Sequence, residues 1–240
     1  MAVQARWTFS LYPDAAEGGG CLVRARVADG GRAGPADPAR AQEEAGRRAR
    51  AKVRRYCAAN RLNRFGTLTY AESCRDPRQL RGDVAGFFRG LRRELGGAPL
   101  PYAWTSEWHP GGHGLHVHFA VARFVPQRLI RDVWGRGIVH IKLIGDLPQG
   151  SGALDEARVA ATYLAKYASK SLDDDRRAAG LHRYEVAQGF QPAKVECHGV
   201  TAEDVIERAS RQMGSLPDRV WLSARAEGWR GPHACWAQWR

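Results

Sequence analysis

Hydrophobic and polar residues alternate in four stretches in the middle of the chain, and this alternation is typical of strands with one buried face. The four predicted strands cover residues 65–70, 102–108, 115–121 and 138–144. A glycine-rich connection, 109–114, separates the second strand from the third and indicates a hairpin. Strands joined by so short a connection are antiparallel, so the sequence predicts a mainly antiparallel sheet.

Helical spacing of apolar residues appears between and after these strands. The clearest case runs from Leu80 to Leu95, with apolar residues at 80, 84, 87, 88, 91 and 95 and arginines on the opposite face. Three more helices are predicted over residues 39–60, 126–134 and 154–172. Helices that flank a mainly antiparallel sheet predict an α+β fold.

The two ends of the chain carry weaker patterns. Residues 7–12 and 21–27 alternate weakly and predict a hairpin across a glycine-rich turn at 17–20. The tryptophans beyond residue 173 either fill a core or stack on nucleic-acid bases; they are Trp221, Trp229, Trp236 and Trp239. We expect three parts: an N-terminal hairpin and basic helix over 1–60, a main domain over 61–175, and a helical, tryptophan-rich extension over 176–240.

Composition narrows the choice of partner. The chain has 240 residues and a formal net charge of +12, which favours nucleic acid and, less strongly, an anionic membrane surface. No stretch approaches the roughly 18 apolar residues that span a bilayer, and the first residues lack the pattern of a secretory signal. The five cysteines are odd in number and include no Cys-x-x-Cys pair, which indicates reduced thiols. We expect a cytoplasmic protein without a membrane partner.

Four of the eight histidines lie within ten residues. On the third predicted strand, His116 and His118 share one face, while the apolar residues between and beside them share the other. If Trp108 pairs with Leu115, Glu107 lies beside His116, with about 5 Å between Cβ atoms. Two imidazoles and a carboxylate accommodate Mn²⁺, Mg²⁺ or Zn²⁺ and leave positions open for water or substrate. On the sequence alone, a solvated His-x-His pair is the alternative.

The last predicted helix repeats the pattern Tyr-x-x-Lys, as Tyr163 with Lys166 and Tyr167 with Lys170. Positions three and four apart on a helix are neighbours, so two phenols and two ammonium groups come together. A phenol is a weak nucleophile at neutral pH, and nearby cations with a metal ion would help it to attack a phosphodiester. The alternative is an apolar stripe of Val159 and the two tyrosines, with the lysines at its edge.

Three motifs, in this order, resemble the HUH endonucleases, specifically the rolling-circle replication initiators (Rep) of bacterial plasmids and single-stranded DNA phages. They are Phe65-Gly-Thr67-Leu-Thr69, His116-Val-His118, and the helix motif from Tyr163 to Lys170. Together they cover roughly residues 64–172. The resemblance implies a Rep-like nuclease core with a five-stranded antiparallel sheet and flanking helices.

The resemblance also implies metal ligands and DNA contacts. His116 and His118 are expected to hold Mn²⁺ or Mg²⁺, and Glu107 stands where an acidic residue completes the site in some members. The first motif supports the site or contacts DNA in the family, and basic residues add further contacts. The expected DNA contacts are Arg64, Thr67, Thr69 and His113.

The doubled tyrosine motif resembles that of the gene A replication proteins of small icosahedral phages, in which two tyrosines alternate. In related plasmid initiators an acidic residue occupies the first of the two positions. Tyr167 is therefore the expected nucleophile and Tyr163 the second candidate. Lys166 and Lys170 are expected to neutralise charge on the phosphate.

Enzymes of this family nick one strand at an origin hairpin or single-stranded site, become joined to the 5′ phosphate, and leave a 3′ hydroxyl for a polymerase. The sequence contains no Gly-x-x-x-x-Gly-Lys-Ser/Thr phosphate loop, so a host helicase and DNA polymerase are expected partners in the bacterial cytoplasm. Three alternatives stay open: a transposase or relaxase of the same chemistry, a non-catalytic DNA-binding regulator, and a metal-dependent hydrolase that uses bound water.

Overall fold

The computed structural model describes residues 5–23, 38–109, 111–143, 147, 150–170, 184–229 and 231–240. They form a central unit, within residues 37–191, and a terminal unit from the two ends of the chain, up to residue 36 and from residue 192. This division differs from the three consecutive parts expected from the sequence. The reason is that strands near both ends of the chain pair in one sheet.

The described residues contain ten strands and five α-helices. The strands are β1 (Arg6–Tyr12), β2 (Glu17–Val23), β3 (Arg64–Leu68), β4 (Tyr102–Trp108), β5 (Leu115–Val121), β6 (Val139–Leu143), β7 (Glu185–Val186), β8 (Val195–Gly199), β9 (Arg219–Leu222) and β10 (Ala234–Gln238). The helices are α1 (Pro38–Ala59), α2 (Pro77–Glu94), α3 (Gln127–Trp134), α4 (Ala153–Lys170) and α5 (Ala202–Met213). The strands and helices predicted between residues 39 and 170 are confirmed to within a few residues. No helix within the described ranges combines the length and apolar character that crossing a membrane requires.

The central unit is built on a five-stranded sheet of order β6-β3-β5-β4-β7, in which all neighbouring strands are antiparallel. Helices α2 and α3 pack on the face that carries Val117, through residues that include Phe87 and Ile130. Helices α1 and α4 pack on the opposite face, over Ala120. The predicted α+β fold with a five-stranded antiparallel sheet is therefore confirmed.

Helix α2 begins at a clear sequence signal. Asp76 is its N-cap and accepts a hydrogen bond of 2.8 Å from the backbone N–H of Arg78, and Pro77 occupies the first turn. Apolar residues at helical spacing form its buried side: Leu80, Val84, Phe87, Phe88 and Leu91. This pattern fixes which side of α2 covers the sheet.

On the opposite face of the sheet, small residues let α1 and α4 approach closely. Ala103 and Ala120 are fully buried in one cluster with Tyr56 and Cys57 of α1. Burial raises the pKa of the Cys57 thiol to about 12, which keeps it protonated. Helix α1, expected as part of an N-terminal appendage, is thus a part of the central core.

The terminal unit has its own antiparallel sheet, of order β8-β1-β2-β10-β9, against which α5 packs. The predicted turn at residues 17–20 is wrong, because residues 13–16 reverse the chain and residues 17–23 form β2. A Cβ atom at Gly18 would lie 2.2 Å from Cε1 of Phe9 on the neighbouring strand. Glycine in β2 therefore makes room for the Phe9 ring rather than a turn.

The C-terminal part is not mainly helical, as the sequence suggested, but supplies three strands to this sheet. Trp239 is fully buried, lies edge-on to Phe9 with 6.5 Å between ring centroids, and donates a hydrogen bond of 3.1 Å to the carbonyl of Ser215. Core filling is therefore the role of Trp239. Trp221 contacts Trp229, with 5.0 Å between their rings.

Candidate metal centre

The hairpin of β4 and β5 sets the geometry of the site. Trp108 pairs with Leu115, and Glu107 pairs with His116, so the predicted register is confirmed. Residues paired directly across two strands share a face of the sheet. Because side chains alternate along β5, His116 and His118 lie on the face covered by α1 and α4, away from the apolar cluster under α2 and α3.

The three side chains bring one atom each to a common point. Nε2 of His116 and Nε2 of His118 are 3.1 Å apart, and each lies 3.2 Å from Oε2 of Glu107. Ligand atoms bound about 2.1 Å from one ion at roughly right angles are about 3 Å apart, so this arrangement fits a single divalent cation. Among the described residues it is the one group of three histidine, cysteine or acidic side chains close enough to hold a metal.

The chemistry of the donor set also fits. Both imidazoles are 7% exposed, so the ligand atoms are largely shielded from bulk water. Two nitrogens and one oxygen suit Mn²⁺ better than Mg²⁺, which prefers oxygen ligands. Three protein ligands leave further positions for water or for a phosphate oxygen, as in catalytic rather than closed structural sites.

Thr67 of β3 orients one of the ligands. It pairs with His118 across the strands, and its Oγ1 lies 3.1 Å from Nδ1 of that imidazole. When Nδ1–H donates to the hydroxyl, Nε2 keeps its lone pair and points it toward the metal centre. The structure therefore gives Thr67 a supporting contact, one of the two roles considered for it.

Tyr167 of α4 lies directly against the metal centre. Its ring stacks on the ring of His118, with 3.8 Å between centroids and 19° between planes. Phe65 of β3 completes this group of rings, 5.5 Å from His118 and 6.3 Å from Tyr167. The phenol therefore shares the face of the sheet that carries the imidazoles.

Tyr163 lies one turn earlier on α4 and is more open to solvent. Its ring is 6.0 Å from that of Phe65, and the residue is 46% exposed. The fully buried residues of the helix are smaller: Ala157, Ala160, Ala161 and Leu164. The alternative interpretation of Tyr163 as part of a buried stripe is therefore wrong. Lys166 is exposed, and the side chain of Lys170 lies outside the described residues.

Two of the expected DNA contacts have structural roles. The guanidinium of Arg64 donates a hydrogen bond of 2.9 Å to Oδ1 of Asn63 and lies 5.8 Å from the centre of the Phe124 ring. Alternation along β3 directs Arg64 to the face opposite Thr67. Thr69 follows β3; its N–H donates to the carbonyl of Ile138, 2.9 Å away. The structure brings neither residue to the metal ligands.

The connection between β4 and β5 carries the two remaining histidines of the motif. His113 is exposed, and its ring lies 5.2 Å from that of His109. Nδ1 of His109 accepts a hydrogen bond of 3.0 Å from the N–H of Gly111, so this side chain caps the turn. The His109 ring lies 5.6 Å from that of His116, which places this turn at the edge of the metal centre.

Sequence reasoning missed two polar residues on β6. Thr67 pairs with His140, and Phe65 pairs with Lys142, so both residues lie on the face of the metal centre. The signal was present in the alternation of residues 139–143, where apolar residues flank His140 and Lys142. It went unused because one histidine and one lysine on a strand are also what any solvated face shows.

Comparisons with known proteins follow the boundary of the central unit. The family model of the replication-associated protein ORF2 matches residues 63–172. This range contains the metal centre, both tyrosines and strand β6, and it excludes the terminal unit. No curated protein and no solved structure matches the chain.

Proposed function

Residues 63–172 belong to the replication-associated protein ORF2 family, and on that premise we propose that the protein starts rolling-circle DNA replication by nicking one strand with Tyr167. The family is one of HUH-type replication initiators, which supports origin DNA as the partner. The nick leaves a 5′-phosphotyrosine on the protein and a 3′ hydroxyl for a host DNA polymerase. A host helicase is the second proposed partner, because the sequence contains no phosphate loop.

One observation carries the choice of chemistry: the Tyr167 ring stacks on His118, a member of the group that fits a divalent cation. A nucleophile beside the metal ligands can attack a phosphate held there, since both groups are fixed by secondary structure. Neither a binding module nor a hydrolase that uses bound water requires a phenol at this position.

In the proposed reaction, the phenolic oxygen of Tyr167 attacks the phosphorus atom of the scissile diester. The bond from phosphorus to the 3′ oxygen breaks, the 3′ oxygen takes up a proton, and the phenolic proton passes to water. One phosphodiester replaces another, so the bond energy is retained for later rejoining. A bound Mn²⁺ or Mg²⁺ would withdraw charge from the phosphate.

We propose that the remaining residues position these groups. Glu107, His116 and His118 hold the cation, and Thr67 keeps His118 in the ligating tautomer. Lys166 supplies positive charge near the phosphate, and Tyr163 is placed for a second attack when the strand is rejoined. Lys170 has the same proposed role as Lys166, on the basis of its spacing from Tyr167 in the sequence.

The test is to incubate the full chain with labelled single-stranded and hairpin oligonucleotides from candidate origins, with and without Mn²⁺. We expect a covalent protein–DNA adduct that requires the metal. Trypsin separates the two candidates, because cleavage after Lys166 leaves Tyr163 in the peptide 159–166 and Tyr167 in the peptide 167–170. Mass spectrometry is expected to find the DNA on the second peptide.

Tyr167→Phe and Tyr163→Phe form a matched pair of variants. The first is expected to lower the rate of initial cleavage by on the order of a thousandfold or more, because it removes the nucleophile. The second is expected to retain the initial cleavage. An adduct on neither tyrosine would overturn the mechanism, and cleavage that survives both substitutions would indicate hydrolysis by water.

A further inference from the structure

Strand β6 extends the face of the metal centre to an edge of the central sheet. It pairs only with β3 among the described strands, with His140 opposite Thr67 and Lys142 opposite Phe65. Val139 and Ile141 alternate with them and pack in the cluster under α2 and α3. The side chains of His140 and Lys142 therefore lie on the same face as His118.

Both residues are open to solvent. His140 and Lys142 are exposed, and within the described part of the chain neither side chain has a hydrogen bond or an ion pair. Basic residues elsewhere in the central unit are engaged: Arg81 lies 2.7 Å from a carboxylate oxygen of Glu185, and Arg136 lies 2.9 Å from Asp83. The cations of β6 are therefore available for an external anion.

The spacing of these groups suits a DNA backbone. Neighbouring strands are about 4.8 Å apart, so β6, two strands from β5, places His140 about 10 Å from His118. That distance corresponds to one or two nucleotides beyond a phosphate held at the metal centre. His140 and Lys142 are about 6.7 Å apart along the strand, similar to the separation of consecutive phosphates in an extended single strand.

We propose that His140 and Lys142 bind consecutive phosphates of the single DNA strand next to the cleavage position. This inference rests on the proposed function, since the same strand reaches the metal centre. The Lys142 ammonium supplies a point charge, and an imidazole N–H of His140 donates a hydrogen bond to a phosphate oxygen. These contacts position the strand without reading its bases.

The first test measures binding of a labelled single-stranded oligonucleotide by fluorescence anisotropy in EDTA, at several salt concentrations. Lys142→Ala is expected to weaken binding by about fivefold at low salt and to reduce the slope of log K against log salt by about 0.7, the value for one phosphate contact on a single strand. His140→Ala is expected to weaken binding with a smaller change of slope. Lys142→Arg, which keeps the charge, is expected to restore both values.

Arg128→Ala is the matched control. Arg128 is an exposed cation on α3, which packs on the opposite face of the same sheet, and its loss changes the net charge by the same amount. Its affinity and slope are expected to equal those of the wild type. Equal effects of Lys142→Ala and Arg128→Ala would reduce the observation to net charge and overturn the proposal.

A second test locates the contact on the DNA. Single phosphates are replaced in turn by neutral methylphosphonates on both sides of the cleavage position. One or two nucleotides from that position, the neutral analogue is expected to weaken binding by wild type but not by Lys142→Ala. The absence of any such position would overturn the inference.

The two proposals fail in different ways. Binding in EDTA depends neither on the metal nor on a reacting tyrosine, so the role of β6 is tested even if the wild type forms no adduct. Adduct formation with unchanged binding in Lys142→Ala would leave the nicking mechanism in place and remove only the role of β6.

Discussion

Thr67 shows how a residue without a direct part in the reaction can control a ligand. Its hydroxyl is 3.1 Å from Nδ1 of His118, and the opposite nitrogen of that ring belongs to the metal group. Thr67→Val keeps the shape of the side chain and removes the hydroxyl. We expect it to weaken Mn²⁺ binding by about 10- to 100-fold, because the tautomer and orientation of His118 are no longer fixed. Calorimetric titration with Mn²⁺ measures this effect.

Thr69→Val is the control for that experiment. Thr69 has the same side chain and lies in the same motif, but its hydrogen bond to Ile138 is made by the backbone. Its Mn²⁺ affinity is expected to match that of the wild type. Equal losses in the two variants would show that the effect comes from the strand and not from the hydroxyl beside His118.

The sequence was informative about the metal ligands and less so about their surroundings. Glu107 could be assigned because strand alternation and a short connection determine the hairpin register. The difference between Tyr163 and Tyr167 could not be read from their spacing. It depends on how far the alanines of α4 let the helix approach Phe65 and His118, which is a matter of packing between distant segments.

Individual strands contain glycines whose purpose appears only when the neighbouring strand is known. Gly66 of β3 pairs with Phe119 of β5, and a Cβ atom at position 66 would lie 2.3 Å from Cζ of that ring. Gly18 stands in the same relation to Phe9 in the terminal unit. Local sequence shows the glycine but not the ring, which is why residues 17–20 resembled a turn.

Gly66→Ala is expected to destabilise the central unit by about 1–3 kcal/mol, because the added methyl group overpacks the core. Urea unfolding followed by circular dichroism measures the change. Reducing the opposing ring in the double variant Gly66→Ala, Phe119→Leu is expected to recover part of the loss. A loss equal to the sum of the two single changes would show that the ring is not the cause.

Gly82→Ala provides the opposite sign in the same unit. Gly82 lies inside α2, where a Cβ atom would meet nothing within 4 Å. The substitution is expected to stabilise the unit by about 0.5–1 kcal/mol, since alanine loses less backbone entropy in a helix. Destabilisation at this position would show that the helix face is covered by another part of the chain.

At the scale of the whole chain, the division into units could not be inferred from the sequence. The strands of the terminal sheet come from segments separated by the entire central unit, and no local pattern records such pairing. The boundary expected at residue 61 also excluded α1. Val53 and Tyr56 of that helix are buried in the central core, so α1 is required to cover the sheet.

A fragment of residues 37–191 is therefore expected to fold cooperatively and to bind Mn²⁺. A fragment of residues 61–175, the part expected from the sequence, lacks α1 and β7 and is expected to aggregate or unfold at lower temperature. Circular dichroism and thermal unfolding of the two fragments compare them directly. Equal melting temperatures would show that α1 does not contribute to the core.

The pairing of β1 and β2 with β8 and β10 has a consequence for the order of events on the ribosome. The N-terminal hairpin emerges first, but its sheet partners are translated last. The nuclease-like region can form in the meantime, whereas the hairpin must wait with its edges unsatisfied. A message truncated before codon 195 would yield a nascent chain with a formed middle and an incomplete remainder, open to chaperones and proteases.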